Sequence, residues 1–410
     1  MTMRLRTAFI STFVRQIFVM GLGVVSISMI SKLLGAADFG RYAIAVAVAG
    51  VGQALFSFSA PPVIVHFFSK VKDRATLVGD GITIFACALS LFVVFSGLAF
   101  YSGWLDAWGI DVSGWAVVLL LMTLQVINSI FEAIFLGSRN YRMFNLLQVC
   151  VPCVLMALVL IFLDSGDGWK KALLLSCVAA MVATPMYVIF SLRTFGAVKL
   201  GISAGVSETY FKYGLTIWSA NLITMALYRT PLFIVEHMCN ARSLGVFALA
   251  NNFSEKIWIP GKAVATILFP ERSSSGMDGG VKRSGVYKIV AGNMFLSLIG
   301  MLALCLVFYF FGSVFFGSGF EGVHRVVLAL VPGIVSWSGV TILGAELAGL
   351  GLSRANFNVS LLAFVVSLIA CVLGAQFGAE GVALGASLGY MVGLVFSFVS
   401  YHKASAELLK

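Results

Sequence analysis

The stretch LLGAADFGRYAIAVAVAGVGQALFSFSAPP, Leu33 to Pro62, leads from a short polar segment through Gly40 and Arg41 into a long run without charges, 42–62, that ends at two prolines. Part of it, FGRYAIA at 39–45, returns as LGVFALA at 244–250, 205 positions later in a chain of 410 residues. An uncharged apolar run of about 20 residues is typical of a membrane span. The sequence therefore predicts a duplicated membrane unit, not a soluble domain.

The composition agrees with a membrane protein. Hydrophobic residues make up 60% and charged residues 11% of the chain, at a mean hydropathy of +1.01, whereas about a quarter of a soluble domain is charged. The apolar runs predict an all-α polytopic membrane protein with 12 transmembrane helices. These lie at about 8–34, 39–67, 81–101, 115–136, 144–163, 169–192, 213–235, 243–268, 286–316, 326–350, 357–377 and 382–401.

The net charge of +10 follows the topology of the chain and does not indicate a nucleic-acid partner. With the N-terminus placed inside, 17 of the 27 Lys and Arg residues fall in cytoplasmic segments and 6 in outer ones. This bias is the positive-inside rule, and it predicts that both termini lie in the cytoplasm. We expect a multi-pass protein of the bacterial cytoplasmic (inner) membrane.

A second repeat predicts the architecture. The segment Glu132–Arg139 at the end of the fourth span resembles Glu346–Arg354 at the end of the tenth, at an offset of 213 to 215 positions. Six spans per copy leave both copies in the same orientation, so a pseudo-two-fold axis along the membrane normal is expected. The prediction is an N-terminal six-helix lobe (1–192), a cytoplasmic linker (193–212) and a C-terminal six-helix lobe (213–410).

Four cations fall inside predicted spans: Arg15, Arg229, Lys256 and Lys262. A cation near the bilayer centre costs from about 3 to more than 10 kcal/mol, so such residues face a partner or a substrate path and usually serve function. The planar guanidinium suits phosphate oxygens, and the ammonium acts as a point charge. The sequence predicts that these four bind an anionic head group; snorkelling to the membrane surface is the alternative for both arginines.

Three acidic residues are candidates for coupling or gating: Glu132, Glu255 and Glu346. The first and last lie about a turn and a half from the cytoplasmic ends of their spans. Their recurrence fits duplicated function and duplicated packing equally. The packing alternative makes them partners of basic residues at the inner face, such as Arg139 and Arg354.

Four motifs together resemble a known family. They are LLGAADFGRYAIA, RTPLFIVEHMCNARSLGVFALA, ILFPERS and FGSGFE, in that order along the chain. The pattern is similar to polysaccharide transporters, the O-antigen-type lipid-linked oligosaccharide flippases of the MATE-like (MOP) superfamily. The resemblance implies two six-helix lobes around a V-shaped cavity and inner-to-outer translocation of an undecaprenyl-diphosphate-linked sugar repeat unit by alternating access. Many such proteins carry an acidic residue late in the seventh span, where this chain has Arg229.

Two other functions compete with this interpretation. A drug or cation antiporter of the same superfamily would require acidic groups deep in the membrane, and here cations prevail. A membrane polysaccharide polymerase or ligase would require a sizeable outer loop, and all outer links are short. The sequence predicts no metal, cofactor or catalytic residue. The sequence does not identify the sugar, the surface polymer (O-antigen, capsule or exopolysaccharide) or the oligomeric state. It also leaves open whether an ion (H⁺ or Na⁺) drives transport and whether polymerase machinery is a partner besides membrane lipids.

Overall fold

The computed structural model describes residues 3–58, 60–68, 71, 73–101, 111–196, 198–201, 214–266, 268 and 283–407. Within these ranges every regular element is helical. The elements are α1 Met3–Phe56, α2 Ala60–Phe67, α3 Arg74–Tyr101, α4 Val112–Gly137, α5 Tyr141–Phe162, α6 Trp169–Phe195, α7 Leu215–Met238, α8 Ala241–Glu255, a 3₁₀ turn Lys256–Trp258, α9 at 259–266, α10 Arg283–Phe316, α11 Val323–Gly349, α12 Ser353–Gly374 and α13 Gly378–Glu407, with 3₁₀ turns at Ser318–Phe320 and Ala375–Phe377.

The helices confirm the predicted all-α membrane fold. Among the described residues, eight helical stretches are long and apolar enough to cross a membrane. Arg354–Ser405 includes two of the predicted spans, and Val14–Phe56 covers most of the first span and part of the second. The exact number of twelve crossings stays a prediction.

The predicted break between the first and second spans is confirmed, and two of the predicted spans are themselves interrupted. The first break lies at Gly35, whose φ of 71° and ψ of 173° are not helical. The second span is divided, because α1 ends at Phe56 and α2 begins at Ala60. The eighth span is not continuous, because the 3₁₀ turn Lys256–Trp258 separates α8 from α9. Pro260 explains this break: proline has no N–H to donate, and its ring clashes with the carbonyl four residues earlier.

The chain separates into two compact units. Unit 1 comprises Met1–Leu33 and Ala45–Leu222, and unit 2 comprises Leu34–Ile44 and Ile223–Lys410. The lobe limits at 192 and 213 stay a prediction. Most of the predicted linker, at 202–212, lies outside the described residues, as does most of the inner loop between the eighth and ninth spans.

The first repeat has a structural counterpart within unit 2. Gly35 interrupts α1, and Asn240, 205 positions later, caps α8 by accepting a hydrogen bond from the Ser243 amide at 2.8 Å. The two motif glycines then meet. A Cβ placed on Gly40 would lie 2.9 Å from the Gly245 nitrogen, and one placed on Gly245 would lie 1.9 Å from the Ala36 carbonyl oxygen. Only glycine fits this crossing, because small residues let helix backbones touch.

Replacing Gly245 with alanine is therefore expected to lower the free energy of unfolding by about 2–3 kcal/mol, the cost of overpacking a close backbone contact. Gly292→Ala on α10 is the matched control, since a Cβ placed on Gly292 would have no other atom within 4 Å among the described residues. Thermal unfolding of the two purified variants in detergent micelles measures their unfolding midpoints relative to wild type. Equal midpoints for the two variants would contradict the prediction.

The second repeat forms the same turn twice, but in a different register from the one predicted. In the first turn, the backbone N–H groups of Ser138, Arg139 and Asn140 donate to the carbonyls of residues 134, 136 and 135, respectively. In the second turn, the backbone N–H groups of Leu350, Gly351 and Leu352 donate to the carbonyls of residues 346, 348 and 347. Each donor of the second turn thus lies 212 positions after its counterpart. Both central residues are left-handed, Arg139 at φ 58° and Gly351 at φ 79°.

This register separates the two glutamates that the sequence pairs. At an offset of 212, Glu346 occupies the place of Ile134, and Glu132 that of Gly344. Two residues along a helix correspond to a rotation of about 200°, so the carboxylates lie on opposite faces of their helices. Burial supports this register, because Ile134 and Glu346, which occupy equivalent places, are 0% and 1% exposed. The two glutamates are not equivalent positions.

Candidate functional site

A polar network in unit 1 joins three helices. The Arg15 guanidinium on α1 donates through Nη1 to Oε1 of Gln148 on α5 at 2.9 Å. The Gln148 amide in turn donates through Nε2 to Oε1 of Glu132 on α4. The Arg15 guanidinium lies over the Phe144 ring, 4.8 Å from its centroid. We call Arg15, Glu132, Phe144 and Gln148 the unit 1 cluster.

Arg15 retains donor capacity in this cluster. Its Nε is buried and has no hydrogen-bond partner within the described ranges. A guanidinium carries five N–H donors and no acceptor, so an anion is the complement that this group lacks. The cation–π contact with Phe144 holds the charge within the protein and disfavours the snorkelling alternative.

The unit 2 cluster consists of Arg229, Asn251 and Glu255. Arg229 Nη1 on α7 lies 3.3 Å from Glu255 Oε1 at the end of α8, with side-chain exposures of 29% and 19%. Asn251 Nδ2, one turn earlier on α8, donates to the same Oε1 at 2.8 Å. Arg229 is nine residues from the end of α7 at Met238, or about 14 Å along the helix, which is well inside an apolar layer of about 30 Å.

The two lysines lie beyond this cluster, on the interrupted part of the eighth span. Lys256 begins the 3₁₀ turn, directly after Glu255, and is partly buried. Lys262 is exposed, with its ammonium 5.7 Å from the centroid of the Trp258 ring. In a continuous helix Lys262 would lie about two turns from Glu255 on a similar face. The 3₁₀ turn at Lys256–Trp258 interrupts that helix, and Lys262 has Trp258 as its aromatic neighbour.

An aromatic cluster, which sequence reasoning missed, supports the unit 2 cluster. Tyr228, Trp258, Trp337 and Tyr390 contact one another with ring centroids 5.2–6.4 Å apart. Trp337 Nε1 donates to the Tyr228 hydroxyl at 2.6 Å, and Trp258 Nε1 donates to the Ile334 carbonyl at 3.1 Å. Since Tyr228 precedes Arg229, this packing fixes the segment of α7 that carries the guanidinium.

The predicted site residues thus fall into separate groups. Arg15 and Glu132 belong to one cluster, and Arg229 and Glu255 to another. Glu346 is buried on α11 beside Leu343 and Leu347, which are also buried, and it does not take part in either cluster as defined. Glu132 contacts Gln148, and not the Arg139 of the packing alternative. Among the described residues, no group of three His, Cys, Asp or Glu side chains is placed to hold a metal ion.

Gln148 is the member of the unit 1 cluster that sequence reasoning missed. It is 16 positions from Glu132 and 133 from Arg15 along the chain, so no local pattern connects the three. The available signal was a single amide within the otherwise apolar stretch 146–162.

Outside the apolar layer, ion pairs join the ends of helices. Asp111 caps α4 by accepting from the Gly114 amide at 3.2 Å, and its carboxylate lies 2.6 Å from the Lys170 ammonium at the start of α6. The Lys170 ammonium and the Ser113 hydroxyl lower the pKa of the Asp111 carboxyl to about 2. These exposed contacts position α4 and α6 of unit 1, where Glu132 and Tyr187 lie.

The solved structures that resemble this chain are membrane transporters of one superfamily. A multidrug resistance MATE family transporter of the MOP superfamily, in an inward-facing conformation, matches with a TM-score of 0.68 at 13% identity, covering 94% of each chain. The lipid II flippase MurJ, in an inward closed conformation, matches with a TM-score of 0.72 at 13% identity, covering 96% of this chain and 87% of MurJ. The Vibrio cholerae MATE transporter VcmN in its bent form matches with a TM-score of 0.60 at 16% identity, covering 98% of each chain.

At these identities the likeness shows the fold alone, and it confirms the MATE-like fold predicted from the sequence. No curated protein matches the chain by sequence. The family model described as "Polysaccharide biosynthesis protein" matches residues 29–324, which is well over half of the chain. This chain therefore belongs to the polysaccharide biosynthesis protein family.

Proposed function

We propose that this protein is a flippase for a lipid-linked oligosaccharide. It moves an undecaprenyl-diphosphate-linked repeat unit from the inner to the outer leaflet of the bacterial cytoplasmic membrane by alternating access, with both termini in the cytoplasm. The product serves the synthesis of a surface polysaccharide. Family membership supports the biosynthetic context, and the fold shared with a lipid II flippase supports the transport of a polyprenyl-linked sugar.

The observation that carries the proposal is the half-buried Arg15 side chain, whose buried Nε lacks a hydrogen-bond partner in the described part of the chain. A diphosphate supplies paired oxygens that match the planar donors of arginine, and hydrogen bonds between two charged groups are the strong ones. The polyprenyl tail stays in the lipid while the phosphate oxygens of the head group accept hydrogen bonds from Arg15.

The carboxylates argue against a cationic substrate. Glu255 Oε1 already accepts from Arg229 and Asn251, and Glu132 Oε1 accepts from Gln148. A drug antiporter needs acidic groups that are available to a cation, whereas Glu132 and Glu255 already accept hydrogen bonds from donors of their own unit. Lys256 and Lys262 add positive charge beyond the unit 2 cluster.

Roles follow for each residue. Arg15 and Arg229 each offer a guanidinium to phosphate oxygens within their own unit, and Lys256 and Lys262 attract phosphate as point charges. Glu132 and Glu255 are the counter-ions that hold the arginines in place before the substrate arrives. Glu346 serves packing or gating at the inner end of α11 and does not contact the head group.

The direct test is flipping of a fluorescent undecaprenyl-diphosphate-linked sugar in proteoliposomes. Wild-type protein is expected to equilibrate this lipid between leaflets much faster than protein-free liposomes do. The matched probe is the same sugar on undecaprenyl monophosphate, which offers fewer phosphate oxygens and is expected to move more slowly. Inactivity on every such lipid together with export of a cationic dye would move the protein to the drug antiporters.

The membrane potential is expected to favour export. With the interior negative, moving an anion outward gains up to about 2.3 kcal/mol per charge per 100 mV. Imposing about 100 mV with a potassium gradient and valinomycin should shift the leaflet distribution outward by about tenfold or more. The control is the same liposomes with equal potassium on both sides. A distribution that ignores the potential would show that the head group does not cross as a net anion.

A further inference from the structure

The break in the second predicted span contains a residue with a strained backbone. Helix α1 ends at Phe56 and α2 begins at Ala60, and Phe58 between them has a φ of 42°. A bulky side chain is rarely found in this left-handed region, because its Cβ crowds the backbone. Strained residues of this kind are concentrated at ligand-binding and switch sites. Phe58 is therefore a candidate for contact with a ligand.

Trp218, one turn into α7, holds the break from the side. The part of α7 up to Leu222 belongs to unit 1, as does Phe58. Trp218 Nε1 donates to the Leu55 carbonyl at 2.9 Å, in the last turn of α1, where a helix leaves carbonyls for outside donors. The Trp218 and Phe58 rings lie 5.3 Å apart between centroids, at an interplanar angle of 40°. We call Phe58 and Trp218 the aromatic pair.

A polar side chain continues the same face of α7. Asn221 follows Trp218 by three residues, which makes the two side chains neighbours on the helix surface. Asn221 is exposed, and both members of the aromatic pair are partly exposed. Polar side chains within spans face the interior of the bundle or a water-filled path, and not the hydrocarbon. This face of α7 therefore suits a ligand that is both polar and apolar.

A sugar ring is such a ligand. Its faces carry C–H groups that can lie against an aromatic ring, whose own face is electron-rich. Its rim carries hydroxyl and N-acetyl groups, which match the two donors and the acceptor of an Asn amide. A diphosphate makes no use of aromatic rings, and a polyprenyl tail makes no use of an amide. Of the three parts of a lipid-linked oligosaccharide, the sugar uses both.

We propose that the aromatic pair and Asn221 bind a sugar ring of the lipid-linked oligosaccharide. This inference rests on the proposed function and names the part of the substrate that this surface binds. In the proposed orientation α7 begins at the inner face, and Trp218 lies three residues, or about 5 Å, beyond Leu215. The sugar is thus bound on the side from which it enters.

The contacts of Trp218 differ from those of tryptophans with other roles. A tryptophan that anchors a span at the membrane surface lies at the level of the lipid head groups, whereas the N–H of Trp218 is bound by the Leu55 carbonyl. A core tryptophan has no ring face to offer, as with Trp258 of unit 2, which is 1% exposed. Trp218 combines an engaged N–H with a partly exposed ring. Its ring is available for stacking.

The test compares two probes on the full-length protein in nanodiscs. One is farnesyl diphosphate linked to N-acetylglucosamine, and the other carries a methyl group in place of the sugar. Both phosphates are diesters in each probe, so the two carry the same charge. The ratio of the two dissociation constants isolates the contribution of the sugar. Wild type is expected to bind the sugar-bearing probe about tenfold more tightly, the effect expected of ring stacking.

Three variants separate stacking from structure. Phe58→Leu and Trp218→Leu each remove one ring and should lower the ratio about three- to fivefold, with the affinity for the methyl probe unchanged. Trp218→Phe loses the hydrogen bond to Leu55 but keeps a ring, so it should retain most of the ratio. A merely structural role of Trp218 would give the opposite pattern, with both Trp218 variants losing stability alike and both probes equally affected.

Phe92→Leu is the matched control. Phe92 pairs with Phe56 in the same unit at a centroid distance of 4.4 Å, and its replacement should keep the wild-type ratio. If Trp218→Leu does not fold, Asn221→Ala on the exposed face of α7 carries the comparison and should lower the ratio about threefold, since one hydrogen bond is lost.

Two results would overturn the inference alone: equal affinity of wild type for the two probes, or the wild-type ratio in both Phe58→Leu and Trp218→Leu. Either would leave the proposed function intact, because the diphosphate lipid is still bound. Absence of binding of both probes to wild type would overturn both the inference and the proposed function. The two failures are therefore distinguishable in one experiment.

Discussion

Flipping of the diphosphate-linked sugar by an Arg15→Ala variant is expected to be about 100-fold slower than by wild type. Two hydrogen bonds to a charged group are lost, and each is worth about 1.5–3 kcal/mol. Arg15→Lys should recover only part of the rate, because an ammonium does not present the planar pair of donors. Initial flipping rates in proteoliposomes, normalised to incorporated protein, measure the effect.

Arg142→Ala is the matched control for this prediction. Arg142 lies in the same unit, at the exposed start of α5, outside the unit 1 cluster. Its replacement should leave the rate within about twofold, since surface charges contribute little. Equal rates for Arg15→Ala and wild type would remove Arg15 from the substrate path, whatever its effect on stability.

The second large effect concerns stability as well as transport. Arg229→Ala leaves the partly buried Glu255 without its cation, and the free energy of unfolding is expected to fall by about 3 kcal/mol, the lower end of the cost of an unpaired buried charge. The double variant Arg229→Gln with Glu255→Gln removes both charges and should recover most of the unfolding midpoint. It should not recover flipping, because the diphosphate still lacks the guanidinium.

Arg242→Ala provides the matched ion pair. Arg242 Nη2 lies 3.4 Å from Glu321 Oε2, with side-chain exposures of 58% and 69%. Loss of this exposed pair should cost less than about 1 kcal/mol. Thermal unfolding and flipping, measured on the same preparations, separate the two roles of Arg229. Wild-type flipping by the double variant would contradict the proposed role while leaving the stability argument intact.

Much of the fold follows from the sequence because apolar run length and glycine position act locally. The all-α class and the first repeat could be predicted in this way, and Gly40 and Gly245 do meet in unit 2. The failures lie where one residue changes the helical register. Pro260 forces the 3₁₀ turn that the hydropathy of the run conceals, whereas the break at Gly35 falls between the first two predicted spans, as expected.

The candidate site was only partly predictable. The cost of charge in an apolar layer singles out Arg15, Arg229, Glu132 and Glu255 from the sequence alone. Their partners depend on which helices pack together, which no local pattern encodes, so Gln148 was missed. The sequence pairs Glu132 with Glu346 because the residue types match at an offset of 214 positions. The hydrogen-bonded turns match at an offset of 212 positions, so this pairing was misleading.

The turn that occurs twice, at 138–140 and 350–352, also bears on the history of the chain. Its hydrogen bonds are the same in both copies, yet the acidic residue lies on opposite helical faces. If the two halves share an origin, as the sequence repeats predict, the backbone of the turn was kept while the positions of the charges around it changed. A chain built from two copies of the first half would keep both turns but carry two bridging amides and no direct ion pair. Such a chain would lose the difference in charge arrangement between the unit 1 and unit 2 clusters.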